Sequence, residues 1–251
     1  MAGHSHSSNI AARKGAVDKK RAKNFSKLSR AIMSAVRQGG PDVDSNLKLK
    51  YAVEKARAGN MSKDTIKHAI KRAAGEKIGD AYEDLIYEGY APGGVALMVS
   101  CLTDNRNRTA PDLKFIFDRN GGNLGATGSV GFMFTFQTIV IADREEESED
   151  HWLELGLECG ASDVRVEGEV VTILAPATTF LAVKAALEAK EIKTHSAEMG
   201  YTPNLSVSVT DKEDARKVLK LIEALEDHDD VQSVYPNYEI QDDWLEELSG
   251  S

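Results

Sequence analysis

At about residue 80 the hydrophobic period of the chain changes, and the sign of its charge changes with it. Before that point apolar residues recur every three or four positions, the period of a helix; after it they alternate or cluster in short runs, as strands do. Residues 1–79 carry 18 Lys+Arg against 6 Asp+Glu, a net +12, and residues 80–251 carry 13 against 34, a net −21; the overall −9 conceals the division. A chain split this way predicts a basic helical unit joined to acidic α/β units. An asymmetry of this size points to a polyanion-binding module coupled to something else.

Residues 1–15 are small and polar and read as a flexible arm. A helix is expected from Val17 to Gln38, stopped by Gly39-Gly40-Pro41, a second from an Asp44/Ser45 cap to Gly59-Asn60, and a third from a Ser62 cap to Gly75. Beyond Tyr82, Glu83–Tyr90 and Val95–Leu102 read as strands joined by Ala91-Pro92-Gly93-Gly94. A helix over Ala110–Asn120, a glycine-rich loop from Gly121 to Gly128 and a strand over Gly131–Phe136 follow. Next comes a β-α-β-β-α-β series. Its strands lie near Ile139–Ala142, Asp163–Glu167, Val170–Ala175 and Lys193–Gly200, its helices near Glu149–Cys159 and Thr179–Ala189, the order of a ferredoxin-like unit. The last elements, a strand over Leu205–Thr210, a helix over Lys212–Glu226 and a strand over Val231–Tyr235, are too few to fold alone and complete the sheet begun at Tyr82. The expected fold class is α+β. The expected domains are a basic helical domain over 1–79, a middle α/β domain over 80–137 plus 204–240, a ferredoxin-like domain over 138–203 inserted in it, and a peripheral acidic tail over 241–251.

On a wheel of about 100° per residue, Phe25, Leu28, Ile32 and Val36 of the first helix fall in one narrow arc, and Lys19, Lys20, Lys23, Lys27, Arg30 and Arg37 in the opposite half. The third helix repeats the pattern, with Ile66, Ala69, Ile70 and Ala73 against Lys67, His68, Lys71 and Arg72. Solvated helices usually mix their signs; here Lys19/Lys23/Lys27 and Lys63/Lys67/Lys71 are like-charged at i,i+4, each pair costing ~0.2–0.5 kcal/mol in isolation. An anionic partner turns that repulsion into binding through counterion release. The contacts expected for nucleic acid are Arg13, Lys14, Lys20, Arg21, Lys23, Lys27, Arg30, Lys67, Lys71 and Arg72. A membrane is the other common polyanion, but the apolar arcs are needed for the bundle core, and no run of apolar residues is long enough to span a bilayer.

Two loops could bind anions. Thr103-Asp104-Asn105-Arg106-Asn107-Arg108-Thr109 sets two arginines beside a helix start, so Asn105, Arg106, Asn107 and Arg108 form either a phosphate or carboxylate clamp or a capping loop. Gly121-Gly122-Asn123-Leu124-Gly125 with Gly128-Ser129 fits neither the P-loop nor the dinucleotide fingerprint and reads as a structural glycine loop. Cys101 and Cys159 sit in apolar stretches, as reduced core thiols do. No Ser/His/Asp or Cys/His constellation and no His or Cys metal spacing is present, so no enzyme activity, cofactor or metal site is expected. The first forty residues have the basic composition of a transit peptide, yet the charges lie within a patterned helix and Lys outnumbers Arg; the expected location is the cytoplasm.

Several blocks in order carry a resemblance: Met1-Ala2-Gly3-His4-Ser5, Asp18-Lys19-Lys20-Arg21-Ala22-Lys23, Tyr87-Glu88-Gly89-Tyr90, Leu102 to Thr109, Gly121-Gly122-Asn123-Leu124-Gly125 with Gly128-Ser129-Val130, and Asp229-Asp230-Val231-Gln232 with Val234-Tyr235-Pro236-Asn237. On these the chain resembles the YebC/PmpR family over nearly its whole length. The resemblance implies a three-domain fold and a non-enzymatic regulator of gene expression: a DNA-binding transcriptional regulator, or alternatively a ribosome-associated, ribosomal-RNA-binding translation factor. It begins at Met1, which implies no cleaved segment upstream. His6-Ser7 stand where the family usually has Lys-Trp, which removes a charge and a stacking ring from the arm.

Overall fold

A computed structural model describes residues 21–75, 82–144 and 147–249. Helices α1 (Arg21–Gly39), α2 (Leu47–Ala58) and α3 (Lys63–Gly75) pack around Ile32, Val36, Leu49, Val53, Ile66, Ala69 and Ala73. The apolar arcs read from the periodicity are the ones that meet. Asn46 joins α1 to α2. Its Nδ2 donates to the carbonyls of Ala35 (2.8 Å) and Gly40 (2.7 Å), and its Oδ1 accepts from the Leu49 amide (3.0 Å). The cap is therefore Asn46 and not the expected Asp44/Ser45. Gly39 has to be glycine, because a Cβ there would lie 2.7 Å from the Asn46 side chain.

The middle domain is a four-stranded sheet of order β3-β1-β2-β9, formed by β1 (Glu83–Tyr90), β2 (Ala96–Thr103), β3 (Asn123–Leu124) and β9 (Val231–Pro236). Strand β2 is central and buried on both faces, apolar at nearly every position, as a strand covered on two sides must be. Helices α4 (Arg106–Arg119) and α7 (Lys212–Glu226) cover one face through Leu113, Phe117, Val218, Leu221 and Leu225. A short parallel pair, β8 (Val207–Ser208) with β10 (Tyr238–Glu239), closes one side. Helix α8 (Asp242–Ser249) buries Leu245 in the same core and packs Trp244 and Leu248 against it. The acidic tail expected to be peripheral thus supplies part of the core, through an apolar edge hidden in an acidic composition.

Between β3 and β8 lies the second sheet, of order β5-β6-β4-β7: β4 (Phe134–Asp143), β5 (Asp163–Glu167), β6 (Val170–Pro176) and β7 (Thr194–Pro203), with α5 (Glu149–Glu158) between β4 and β5 and α6 (Phe180–Ala189) between β6 and β7. This is the ferredoxin-like order inferred from the sequence. Of the two strands expected over Gly131–Phe136 and Ile139–Ala142, Gly131–Met133 is a 3-10 turn and the rest is one strand, β4, which enters beside the exit of β7, with Phe134 opposite Pro203. Met98, Val130, Phe134, Tyr201 and Tyr235 fill the junction between the two sheets.

Candidate nucleic-acid interface

The basic residues named from the sequence separate into two groups. Arg13, Lys14 and Lys20 lie outside the described residues, and Arg21 and Lys23 fall in the first turn of α1. On α3, Lys63, Lys67, Lys71 and Arg72 are all exposed, with Ile66, Ala69 and Ala73 buried on the opposite side. Positions 63, 67 and 71 stack at one per turn, so α3 presents a ridge of positive charge to solvent.

Helix α1 is used differently. Lys27 is only 9% exposed, and its Nζ donates to the Glu226 carbonyl at 2.6 Å. Glu226 ends α7, where carbonyls without intrahelical partners form the negative end of the helix dipole. Arg30 donates from Nη1 to Asp230 Oδ1 (3.3 Å) and from Nη2 to the Asp229 carbonyl. The stripe expected to point away from the bundle core on α1 therefore meets, at these two positions, the turn between α7 and β9. The helical wheel separates core from non-core and does not tell water from another domain. Further cations of the bundle follow the same rule: Lys48 pairs with Asp84, and Lys55 donates to Ser233 Oγ at 3.3 Å. The inserted domain adds Lys184 paired with Glu54, and Tyr51 meeting Phe180 edge-on at 5.2 Å.

Asp230 is the residue that reasoning from sequence missed. Its side chain is 3% exposed and accepts from Arg108 Nη2 (2.9 Å), Thr109 Oγ1 (2.8 Å) and Thr103 Oγ1 (3.2 Å) as well as from Arg30. Burial alone would raise its pKa; the hydrogen bonds and charge of Arg108, with those of the two threonines, outweigh it and hold the carboxyl below its ordinary value. Arg108 is in turn pushed up, chiefly by its hydrogen bond to Asp230. The signal for this hub was the Asp229-Asp230 pair in the turn after α7, in a chain whose first helices are basic.

The polar segment 103–109 resolves into a helix start. Asn105 caps α4, accepting from the Arg108 amide at 3.2 Å, and Arg106, Asn107 and Arg108 belong to its first turn. The capping reading describes this segment, and Arg108 pairs with carboxylates of the same chain, those of Asp104 (3.0 Å) and Asp230. Arg106 and Asn107 are exposed. The glycine loop also holds an internal anion. Glu88, a buried carboxylate on β1, accepts from the amides of Gly128 (2.7 Å), Val130 (2.8 Å) and Gly131 (2.7 Å). Burial raises the Glu88 pKa, but the three amide donors lower it further, and the net shift is downward. The loop is structural, as its spacing indicated. Both thiols are buried, and desolvation pushes Cys101 up to about 12, which leaves it protonated and unreactive.

Among the described residues no group of His, Cys, Asp and Glu is disposed to hold a metal, and no helix is long and apolar enough to cross a membrane. Comparison with known proteins matches residues 5–76 to the TACO1/YebC protein N-terminal domain and residues 82–238 to the TACO1/YebC second and third domain. A protein of Halothermothrix orenii named "Probable transcriptional regulatory protein" is 47% identical over 99% of both chains, and one of the same name from Syntrophobacter fumaroxidans is 44% identical over 99% of this chain and all of its own. The crystal structure of a conserved hypothetical protein, Aq1575, from Aquifex aeolicus superposes with a TM-score of 0.79 at 44% identity, covering 90% of this chain and 93% of that one. With both of its parts matched, and relatives this similar along their full length, the chain belongs to the TACO1/YebC family.

Proposed function

We propose that the protein is a non-enzymatic, DNA-binding regulator of gene expression in the cytoplasm, and that α3 is the face it offers to the phosphate backbone. One observation carries the reading: Lys63, Lys67, Lys71 and Arg72 stand exposed in register on a single helix, at a repulsive cost that an anionic polymer relieves. The names of the relatives support transcription as the process. Lysine is a compact point charge without a planar fork, so a ridge of this composition follows a backbone and distinguishes base edges poorly. The N-terminal arm with Arg13 and Lys14, and the exposed Arg106 and Asn107, are further contacts in this proposal.

The test is a salt titration of the full chain on a promoter duplex, a scrambled duplex and a ribosomal RNA fragment. Binding to both duplexes is expected, with log affinity falling by about 0.9 per phosphate contact for each decade of salt. Recovery of the RNA alone would replace transcription by the ribosome as the target, and salt-independent behaviour on all three would overturn the proposal.

A further inference from the structure

We propose that the turn between α7 and β9 is an internal stand-in for phosphate, which a nucleic acid must displace before α1 can take part in binding. The inference rests on the proposed function and concerns the regulation of that same surface. Lys27 and Arg30 lie on the non-core face of α1, among residues whose spacing marks a polyanion-binding stripe, and both are engaged by oxygen atoms of the middle domain. The seat combines a helix C-terminal carbonyl, a loop carbonyl and a carboxylate, which together offer one lysine and one arginine what a pair of neighbouring phosphates would.

The seat is built to survive the departure of its guests. If Arg30 leaves, Asp230 keeps Arg108, Thr109 and Thr103, at 2.9, 2.8 and 3.2 Å, and its charge stays compensated. The Arg30 contact, at 3.3 Å, is the longest of the four. A buried carboxylate held by Arg30 alone would strand an unpaired charge on opening, at a cost that would forbid it. Here the exchange trades one set of anionic partners for another. Other ties hold the bundle in place: Lys48 with Asp84 and Lys55 with Ser233 are single polar contacts of small individual weight, while Lys184 with Glu54, Tyr51 against Phe180 and Arg37 over the Tyr82 ring must also loosen or shift when α1 opens. A ligand that binds only the open arrangement shifts the population toward it by as much as it prefers that arrangement. In the docked arrangement α3 stays exposed, so it makes first contact and α1 follows.

The experiment places a donor and an acceptor dye on the full chain through Ala58→Cys in α2 and Lys114→Cys in α4; the two native thiols are buried and remain unlabelled. Adding a short DNA duplex should change energy transfer with the same midpoint as binding measured by anisotropy. Asp230→Asn keeps the hydrogen-bonding shape and removes the charge that holds Arg30, and should raise duplex affinity by about threefold to tenfold, the fraction lost to the docked state being returned. Binding with unchanged transfer would overturn the inference and leave the proposed function standing; absence of binding at low salt would overturn both. Should Asp230→Asn fold poorly, the dye measurement on the chain with Asp230 intact decides alone.

Discussion

Helices α1 and α3 are written in the same pattern, an apolar arc backed by lysines and arginines one turn apart, and the molecule uses them in opposite ways. The basic face of α3 meets solvent at Lys63, Lys67, Lys71 and Arg72, whereas α1 turns Lys27 and Arg30 into the middle domain. Periodicity assigns residues to the core or away from it, and says nothing of what waits on the far side. The division of charge along the chain, +12 before residue 80 and −21 after it, is accordingly in part a complementarity between domains.

The comparison can be broken first at α3. Replacing Lys63, Lys67, Lys71 and Arg72 together by Gln should weaken binding to duplex DNA by about tenfold to a hundredfold, or roughly 1.4–2.7 kcal/mol, and make the salt slope shallower. Stability by urea titration should stay within about 0.5 kcal/mol, since exposed changes rarely cost more. If the same variant unfolds more readily and binds as before, the roles of the two helices are reversed.

The converse substitution, Lys27→Ala with Arg30→Ala, should cost about 1 kcal/mol of stability by urea titration, because three hydrogen bonds with a charged donor are lost across the interface and a docked state favoured about threefold to tenfold contributes about that much. Its effect on affinity should be smaller than that of the α3 variant, because the loss of two cations is offset by freer opening. A stability indistinguishable from wild type would mean that the docking seen here contributes nothing in solution.

The smaller effects sharpen the contrast within one turn of α4. Arg108→Ala should lower stability by about 1 kcal/mol, as Asp230 loses its shortest arginine contact, while Arg106→Ala should change it by less than about 0.5 kcal/mol. The Arg108 effect should depend on pH. The Asp230 carboxyl is held below its ordinary value of 3.8, so its contribution is fully present above that value and is lost as pH falls through the lower, folded-state pKa. Wild type and Arg108→Ala should therefore converge in acid, and a gap that persists below that range would place the effect elsewhere than in the ion pair.

The bundle, the hairpin and the order of the inserted domain were legible because each follows a single period over a whole element. The misreadings have local causes. Gln137-Thr138 looks like a polar break between two strands, but Thr138 is buried with its hydroxyl donating to the Pro176 carbonyl at 3.0 Å, and Gln137 reaches Thr202, so β4 runs through. The apolar set Trp244, Leu245 and Leu248 was masked by the acidic residues around it. Of the candidate site, the residue types and the α3 face could be read from sequence. The engagement of Lys27 and Arg30 could not, because their partners lie about 200 positions further along the chain and no local pattern records such a pairing.

The insertion also sets a clock. The central strand of the middle sheet, β2, pairs Leu97 with Pro236, so it has one neighbour missing until nearly the whole chain has left the ribosome. At about 5–20 residues per second, the emerging β2 waits about six to thirty seconds for β9, with one edge of an apolar strand unpaired. During that interval the basic bundle and the ferredoxin-like domain can already be complete, each from contiguous chain. The newborn protein therefore passes through a stage in which Lys27 and Arg30 are made and folded while Asp230 has yet to be translated, and the face of α1 is open before anything exists to close it.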